Sequence, residues 1–212
     1  MPPPPAGTRG GDFAQEYPPE DHILRVARGV AQEVGLVAVP PGTGAALRML
    51  AAAGDARAVV EIGTGTGVSG LWLLRGMRPD GVLTTIDTEP EHLRMARRVF
   101  AEAGFAPSRT RIITGRALDV LPRLADGGYD MIFADGPRGE YADCVEAALR
   151  LLRPGGILAM YGVLAGGRIA DPSARDPATV ALRAVVRAVR EAPEWVPALL
   201  PLGDGLLVAV RR

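Results

Sequence analysis

Seven residues, Glu61-Ile62-Gly63-Thr64-Gly65-Thr66-Gly67, put one carboxylate and three glycines at the end of an apolar run, and single carboxylates, Asp87 and Asp135, close two later runs. Glycines between a strand and a helix allow a tight bend and close approach of backbone to a ligand, and the first helical turn offers unpaired N–H groups. Gly65, Gly67 and Gly70 also satisfy a dinucleotide pattern, a weak signal alone, and a plain glycine turn accounts for the same residues. Glu61 adds a sign. Inside the strand end it does nothing for a pyrophosphate, but it favours a cationic ligand, directly or through bound water. Asp87 can accept both hydroxyls of a ribose, which marks a nucleoside without choosing among them.

These residues need a scaffold that brings strand ends together, and the rest of the chain spells one. Ala58–Ile62, Val82–Ile86, Arg111–Ile113, Asp130–Ala134 and Gly156–Met160 read as strands, with helices at about 67–77, 89–103, 117–124 and 139–152 between them. Such alternation predicts an α/β fold, a doubly wound, mostly parallel sheet with helices on both faces and right-handed crossovers. Ligands of such sheets sit beyond the carboxyl ends of the strands, where strand order reverses. Two helices, Pro19 to about Gly35 and Gly42–Ala53, precede the sheet. Thr88 and Glu91 form a capping-box pattern ahead of the helix after the second strand, with Pro90 in its first turn. A helix after Asp176-Pro177 carries Arg183, Arg187 and Arg190 on one side, read as a solvated face. Trp195–Leu200 and Leu206–Val210, split by Gly203-Asp204-Gly205, predict a C-terminal antiparallel hairpin and bring the sheet to seven strands. Residues 1–18, proline- and glycine-rich and without periodicity, are expected to be a flexible arm, and residues 19–212 a single domain.

Composition narrows the partners. The 212 residues include 48% hydrophobic and 23% charged side chains, with 24 basic against 24 acidic, so nothing favours nucleic acid or an anionic membrane. A small-molecule partner fits better. The lone Cys144 has no partner for an internal disulfide, there is no signal-peptide pattern, and no apolar stretch is long enough to span a membrane, which together point to the cytoplasm. All 24 basic residues are Arg, and the absence of Lys removes the one basic side chain besides His that readily loses its proton. Arg can stabilise an anion but cannot act as a general base.

Taken together, the glycine stretch Val60–Ser69, the strand end Thr85-Ile86-Asp87 and the turn Arg153-Pro154-Gly155-Gly156 resemble the class I methyltransferases, and within them the catechol and caffeoyl-coenzyme-A type O-methyltransferases. The resemblance runs from about residue 20 to the C-terminus and includes Gly166–Pro172 and Leu200–Gly205. It implies a Rossmann-like methyltransferase fold, S-adenosylmethionine as cofactor, transfer of its methyl group to a hydroxyl, phenolic in many members, and a homodimer. By the same resemblance Glu61, Gly63, Thr64 and Ser69 hold the aminoacyl end, Asp87 takes the ribose, Ala117 lies against the adenine, Val39 closes over the cofactor, and Gly65, Thr88 and Asp135 also bind it.

The acceptor side departs from the family. Most members hold a divalent cation with an Asp after the fourth strand and an Asp-Asn pair after the fifth; Asp135 matches the first, but the pair falls on Tyr161-Gly162. Magnesium wants near-octahedral oxygen coordination, so the residues argue against a metal unless a shifted ligand such as Asp171 completes the set. The family's Lys near Asp135 is Arg138. A phenol of pKa about 10 is roughly 0.1% ionised at pH 7, costing about 4 kcal/mol through the phenolate. Arg138 is expected to offset part of that, with Asp135 or Tyr161 receiving the proton, although Tyr161 also suits a pocket wall. Arg116 stands where the family has Asp, either altering adenine packing or facing solvent. Tyr141 is read as bordering the substrate or as an exposed helix position, and His22, His92 and Cys144 as structural. Two other readings stay open: an S-adenosylmethionine-binding protein with little catalysis, and an NAD-dependent oxidoreductase.

Overall fold

The computed structural model describes residues 9–212; the first eight residues of the expected arm lie outside the described residues. Arg9–Glu16 form a helix, α1, where the sequence suggested no regular structure. Tertiary packing accounts for it. Gln15 lies so close to Gly42 that a Cβ there would come within 2.4 Å of Gln15 Oε1. Helix α2 (His22–Glu33) starts on Asp21, whose carboxylate accepts the Leu24 N–H at 3.0 Å, and buries Leu24, Ala27 and Ala31. Helix α3 (Pro41–Ala53) follows.

Seven strands form one sheet: β1 (Ala58–Ile62), β2 (Val82–Asp87), β3 (Thr110–Thr114), β4 (Tyr129–Ala134), β5 (Leu152–Tyr161), β6 (Trp195–Leu200) and β7 (Leu206–Arg211). Their order is β3-β2-β1-β4-β5-β7-β6, parallel through β5, with β7 antiparallel to both neighbours. The doubly wound sheet and terminal hairpin are those the sequence predicted. Helices α4 (Val68–Gly76), α5 (Pro90–Glu102), α6 (Ala117–Val120), α7 (Tyr141–Leu151) and α8 (Pro177–Glu191) cover the two faces. Strand alternation sorts the core into two layers. Val60, Ile62, Ile132 and Leu158 pack with residues of α7 and α8, while Val59, Phe133, Leu83 and Ala159 pack with residues of α2, α3, α4 and α5.

Local details differ from the sequence reading. The Thr88 capping box is not made: the N-cap of α5 is Glu89 without a side-chain bond, because Asp87 Oδ1 takes the Glu89 N–H at 2.9 Å and turns the backbone first. Helix α6 lasts one turn before Pro122 tightens it into a 3₁₀ segment, Leu121–Arg123. The arginine stripe on α8 is only partly a solvated face. Arg187 pairs with Glu191 at 3.0 Å at the surface, but Arg183 turns back to the carbonyls of Ile169 at 2.9 Å and Ala174 at 2.8 Å, ordering the preceding loop.

Candidate active site

Because β1 neighbours both β2 and β4, strand order reverses beside it, and the carboxyl ends of these strands form one rim. The ladder continues past the strands there: Gly63 N–H donates to Ile86 O at 2.9 Å and Asp135 N–H to Ile62 O at 2.8 Å. Gly63 is a required glycine. Its φ is +90°, and a Cβ would lie 2.3 Å from the Asp135 carbonyl oxygen. Gly65 and Gly67 also take positive φ, and Gly67 is the left-handed N-cap of α4.

Two clefts open at this rim and share Leu36, Gly63, Asp87 and Asp135. The smaller, about 150 Å³, is lined by the glycine loop with Val39, Thr64, Gly65 and Ser69. The larger, about 350 Å³, is bounded by Thr88, His92, Arg116, Ala117 and Glu140. Asp87 spans the two, its Oδ2 accepting the Gly65 N–H and its Oδ1 the Glu89 N–H, both at 2.9 Å. His92 Nδ1 lies 3.7 Å from the same carboxylate, so this residue, expected to be structural, stands at the cleft.

Glu61 lines neither cleft. Strand alternation turns it, like Val59, toward α4, where it is fully buried. Ser69 Oγ donates to one carboxylate oxygen and Thr85 Oγ1 to the other, each at 2.6 Å, and Thr64 Oγ1 lies 2.5 Å from Thr85 Oγ1. Glu61 therefore sits one shell behind the surface, held by two residues, Thr64 and Ser69, that line the cleft. Burial pushes its carboxyl up to about 7, against the two hydroxyl donors, with the charges of Asp135 and Asp87 adding to the rise.

Asp135 is lifted to about 6 by burial, a rise that the Arg138 guanidinium opposes. Among the described residues no side-chain donor reaches its carboxylate, which keeps both oxygens available as acceptors. Arg138 and Tyr161 meet through the hairpin tip. Arg138 Nη2 donates to Asp204 Oδ2 at 2.7 Å, and the Asp204 N–H donates to the Tyr161 hydroxyl at 3.2 Å. Burial raises the Tyr161 phenol above its ordinary value, so the site does not favour its ionised form. Tyr141 is neither a substrate border nor an exposed position: it is buried, and its hydroxyl donates to the carbonyl of Tyr161 at 2.7 Å. Cys144 is buried among apolar side chains with its thiol pushed up to about 12, consistent with a packing role.

Sequence reasoning missed the loop that walls the smaller cleft, Leu36, Val37 and Ala38 ahead of Val39. Arg28 holds that loop, donating to Val39 O at 2.8 Å while paired with Glu20. It placed Asp204 in the Gly203-Asp204-Gly205 turn but missed its pairing with Arg138, which lies 66 residues away in sequence.

Comparisons with known proteins agree with this geometry. The family model described as O-methyltransferase matches residues 20–212. A Mycobacterium tuberculosis protein named as a probable O-methyltransferase is 52% identical, the match covering 100% of this chain and 96% of that protein. Among solved structures, the O-methyltransferase TomG of Streptomyces achromogenes, involved in tomaymycin synthesis and crystallised with S-adenosylmethionine, superposes with a TM-score of 0.85 at 31% identity, covering 94% of each chain. An O-methyltransferase of Bacillus cereus, in complex with S-adenosylhomocysteine, gives a TM-score of 0.85 at 28% identity over 95% of this chain and 96% of that one. Sheet order, the glycine turn at the reversal point and these matches agree, and the chain belongs to the O-methyltransferase family.

Proposed function

We propose that this chain transfers the methyl group of S-adenosylmethionine to a hydroxyl of a small molecule, phenolic acceptors included, with an arginine where other members place a divalent cation. The NAD-dependent alternative falls with the family assignment. S-adenosylmethionine supplies an electrophilic methyl group on a cationic sulfur. The buried Glu61 provides negative charge behind the smaller cleft, Thr64 and Ser69 present its network to the cleft wall, and Asp87 offers carboxylate lone pairs between the two clefts.

The observation that carries the reading lies at Gly162, one residue of the position where the family's Asp-Asn pair would fall. A Cβ built there would lie 2.9 Å from Arg138 Nη2, so the guanidinium occupies the space that a side chain at 162 would need. The same nitrogen is paired with Asp204 Oδ2 at 2.7 Å. Tyr161 contributes a neutral phenol, and Asp171, the shifted ligand considered above, lines neither cleft, its Oδ1 accepting the Ser173 N–H at 2.8 Å and the Ser173 hydroxyl at 2.7 Å. Among the described residues no three acidic, His or Cys side chains converge on a point. That donor set does not fit a hard octahedral cation.

Arg138 then offers fixed positive charge to a developing oxyanion, and Asp135 accepts the proton. Lifting the Asp135 carboxyl from 3.8 to about 6 narrows its gap to a phenol by about 2 units, or roughly 3 kcal/mol less uphill transfer. Turnover of a panel of phenols by the purified protein, with a chelator present, tests the proposal. Rates unchanged by chelator support it. Activity abolished by chelator and restored only by magnesium overturns it, and no methylation of any acceptor beside intact S-adenosylmethionine binding would favour a binding protein instead.

A further inference from the structure

Arg183 holds a stretch of main chain that lies outside its own helix. Its Nε donates to the Ile169 carbonyl at 2.9 Å, its Nη1 to that of Ala174 at 2.8 Å, and its Nη2 to those of Arg168, at 2.9 Å, and Asp171. All but one of the guanidinium N–H donors are used this way. Every acceptor belongs to Arg168–Ala174, part of the connection from β5 to α8. The fork has fixed directions and carries charge, so it sets where these oxygens lie more firmly than neutral donors would. Because it grips carbonyls, the side chains of the segment stay out of the contact, and Arg168, Ala170, Pro172 and Ser173 are exposed. The Arg168–Asp176 pair also spans the segment, but at the surface, where such pairs hold weakly.

The near end of the same connection is held by the hairpin tip. Asp204 accepts the Gly166 N–H on Oδ1 at 2.6 Å and the Leu164 N–H on its carbonyl at 2.9 Å, and Gly162, where the connection starts, packs against Arg138. Gly166 and Gly167 join the two held parts at φ of +65° and +85°, with nothing within 4 Å of where a Cβ would stand. Such a pair swivels freely. Without Arg183 the segment beyond it would have many paths open to it. None of residues 162–176 lines either cleft, so this hold has no part in shaping them. Resting on the proposed transfer to a hydroxyl beside Arg138, we propose that Arg183 is a positioning residue for the acceptor: it keeps Arg168–Ala174 in place as a preformed wall of the acceptor's seat, reached from Arg138 through Gly162–Gly167. An acceptor then meets a wall that is already ordered, and the exposed side chains on it choose which acceptor fits.

Arg183→Met in the full-length protein, which keeps an apolar stem without the donors, tests this, with the phenol that the wild type methylates fastest as acceptor. The KM for that phenol should rise roughly tenfold, with kcat changed less. Calorimetric affinity for S-adenosylhomocysteine should stay within about twofold of the wild type, because the clefts are built from other residues. Trypsin should cut faster after Arg168 and Arg175, which lie in and just beyond the held segment. Arg183→Lys keeps the charge but not the fork, so it should recover only part of the acceptor affinity, and it serves for the same comparison if Arg183→Met does not fold. An unchanged acceptor KM, one that rises no more than the dissociation constant of S-adenosylhomocysteine, or cleavage no faster than in the wild type overturns the proposal and leaves methyl transfer standing. A wild type that methylates no phenol while binding S-adenosylmethionine removes the transfer reading itself, and this inference with it.

Discussion

On the proposed mechanism the chemistry turns on Asp135, which borders both clefts with its carboxylate free to accept. A base must be unprotonated to act. With the carboxyl raised to about 6, the working form dominates above that pH and is lost below it. The pH–rate profile should therefore fall about tenfold per unit below pH 6, and Asp135→Asn should remove that limb along with roughly 10² to 10³ of kcat. A variant that keeps the limb would move the base elsewhere. The carboxylates were legible in the sequence: Asp87 ends β2, Glu61 lies one residue before the end of β1 and Asp135 one residue after β4, and ligands of a doubly wound sheet sit at such strand ends. Their partners were not. Asp204 reaches Arg138, and Glu140 reaches Arg116, only through the tertiary path of the chain, which no local spacing encodes.

At the scale of elements, the close approach of the chain leaving β1 to the chain leaving β4 depends on one missing side chain. Gly63→Ala would place a methyl group 2.3 Å from the Asp135 carbonyl oxygen at a φ of +90°, so both space and backbone oppose it. The expected cost is at least about 2 kcal/mol of stability, because steric overlap and left-handed strain add. S-adenosylhomocysteine binding should be lost along with it. Thermal melting and calorimetry on the variant check both, and an unaltered melting temperature would contradict the geometry. The strands were readable because β-branched runs and burial coincide, as in Ala58–Ile62. Helix ends were read less well where a second interaction competes: Asp87 displaces the Thr88 box, Pro122 cuts α6 short, and α1 exists through contact with α3 that its own sequence does not announce.

For the molecule as a whole, the buried Glu61 ties stability to pH, and on the proposed function its charge trades stability for binding. Its folded pKa of about 7 lies above the ordinary 4.5, so between those values the native state holds a proton that the unfolded chain has released. Stability from this group is therefore present below about pH 4.5 and is lost as pH rises through 7, by roughly 3 kcal/mol. Glu61→Gln should flatten that loss, making the ligand-free protein more stable at pH 8 while weakening S-adenosylmethionine binding; denaturant melts at pH 5 and 8 would show it. A variant no more stable than the wild type at pH 8 would refute the assignment. The feature with the widest reach is the Arg138–Asp204 pair beside Gly162. A cation that is part of the chain needs no loading step, and on the proposed mechanism it frees the enzyme from competition among ions in its surroundings. On that same mechanism, inhibitors that gain affinity by chelating a metal find nothing to grip. Ligands selective for this protein should instead be planar anions shaped to a guanidinium, and their affinity should weaken with added salt and ignore added magnesium at constant ionic strength.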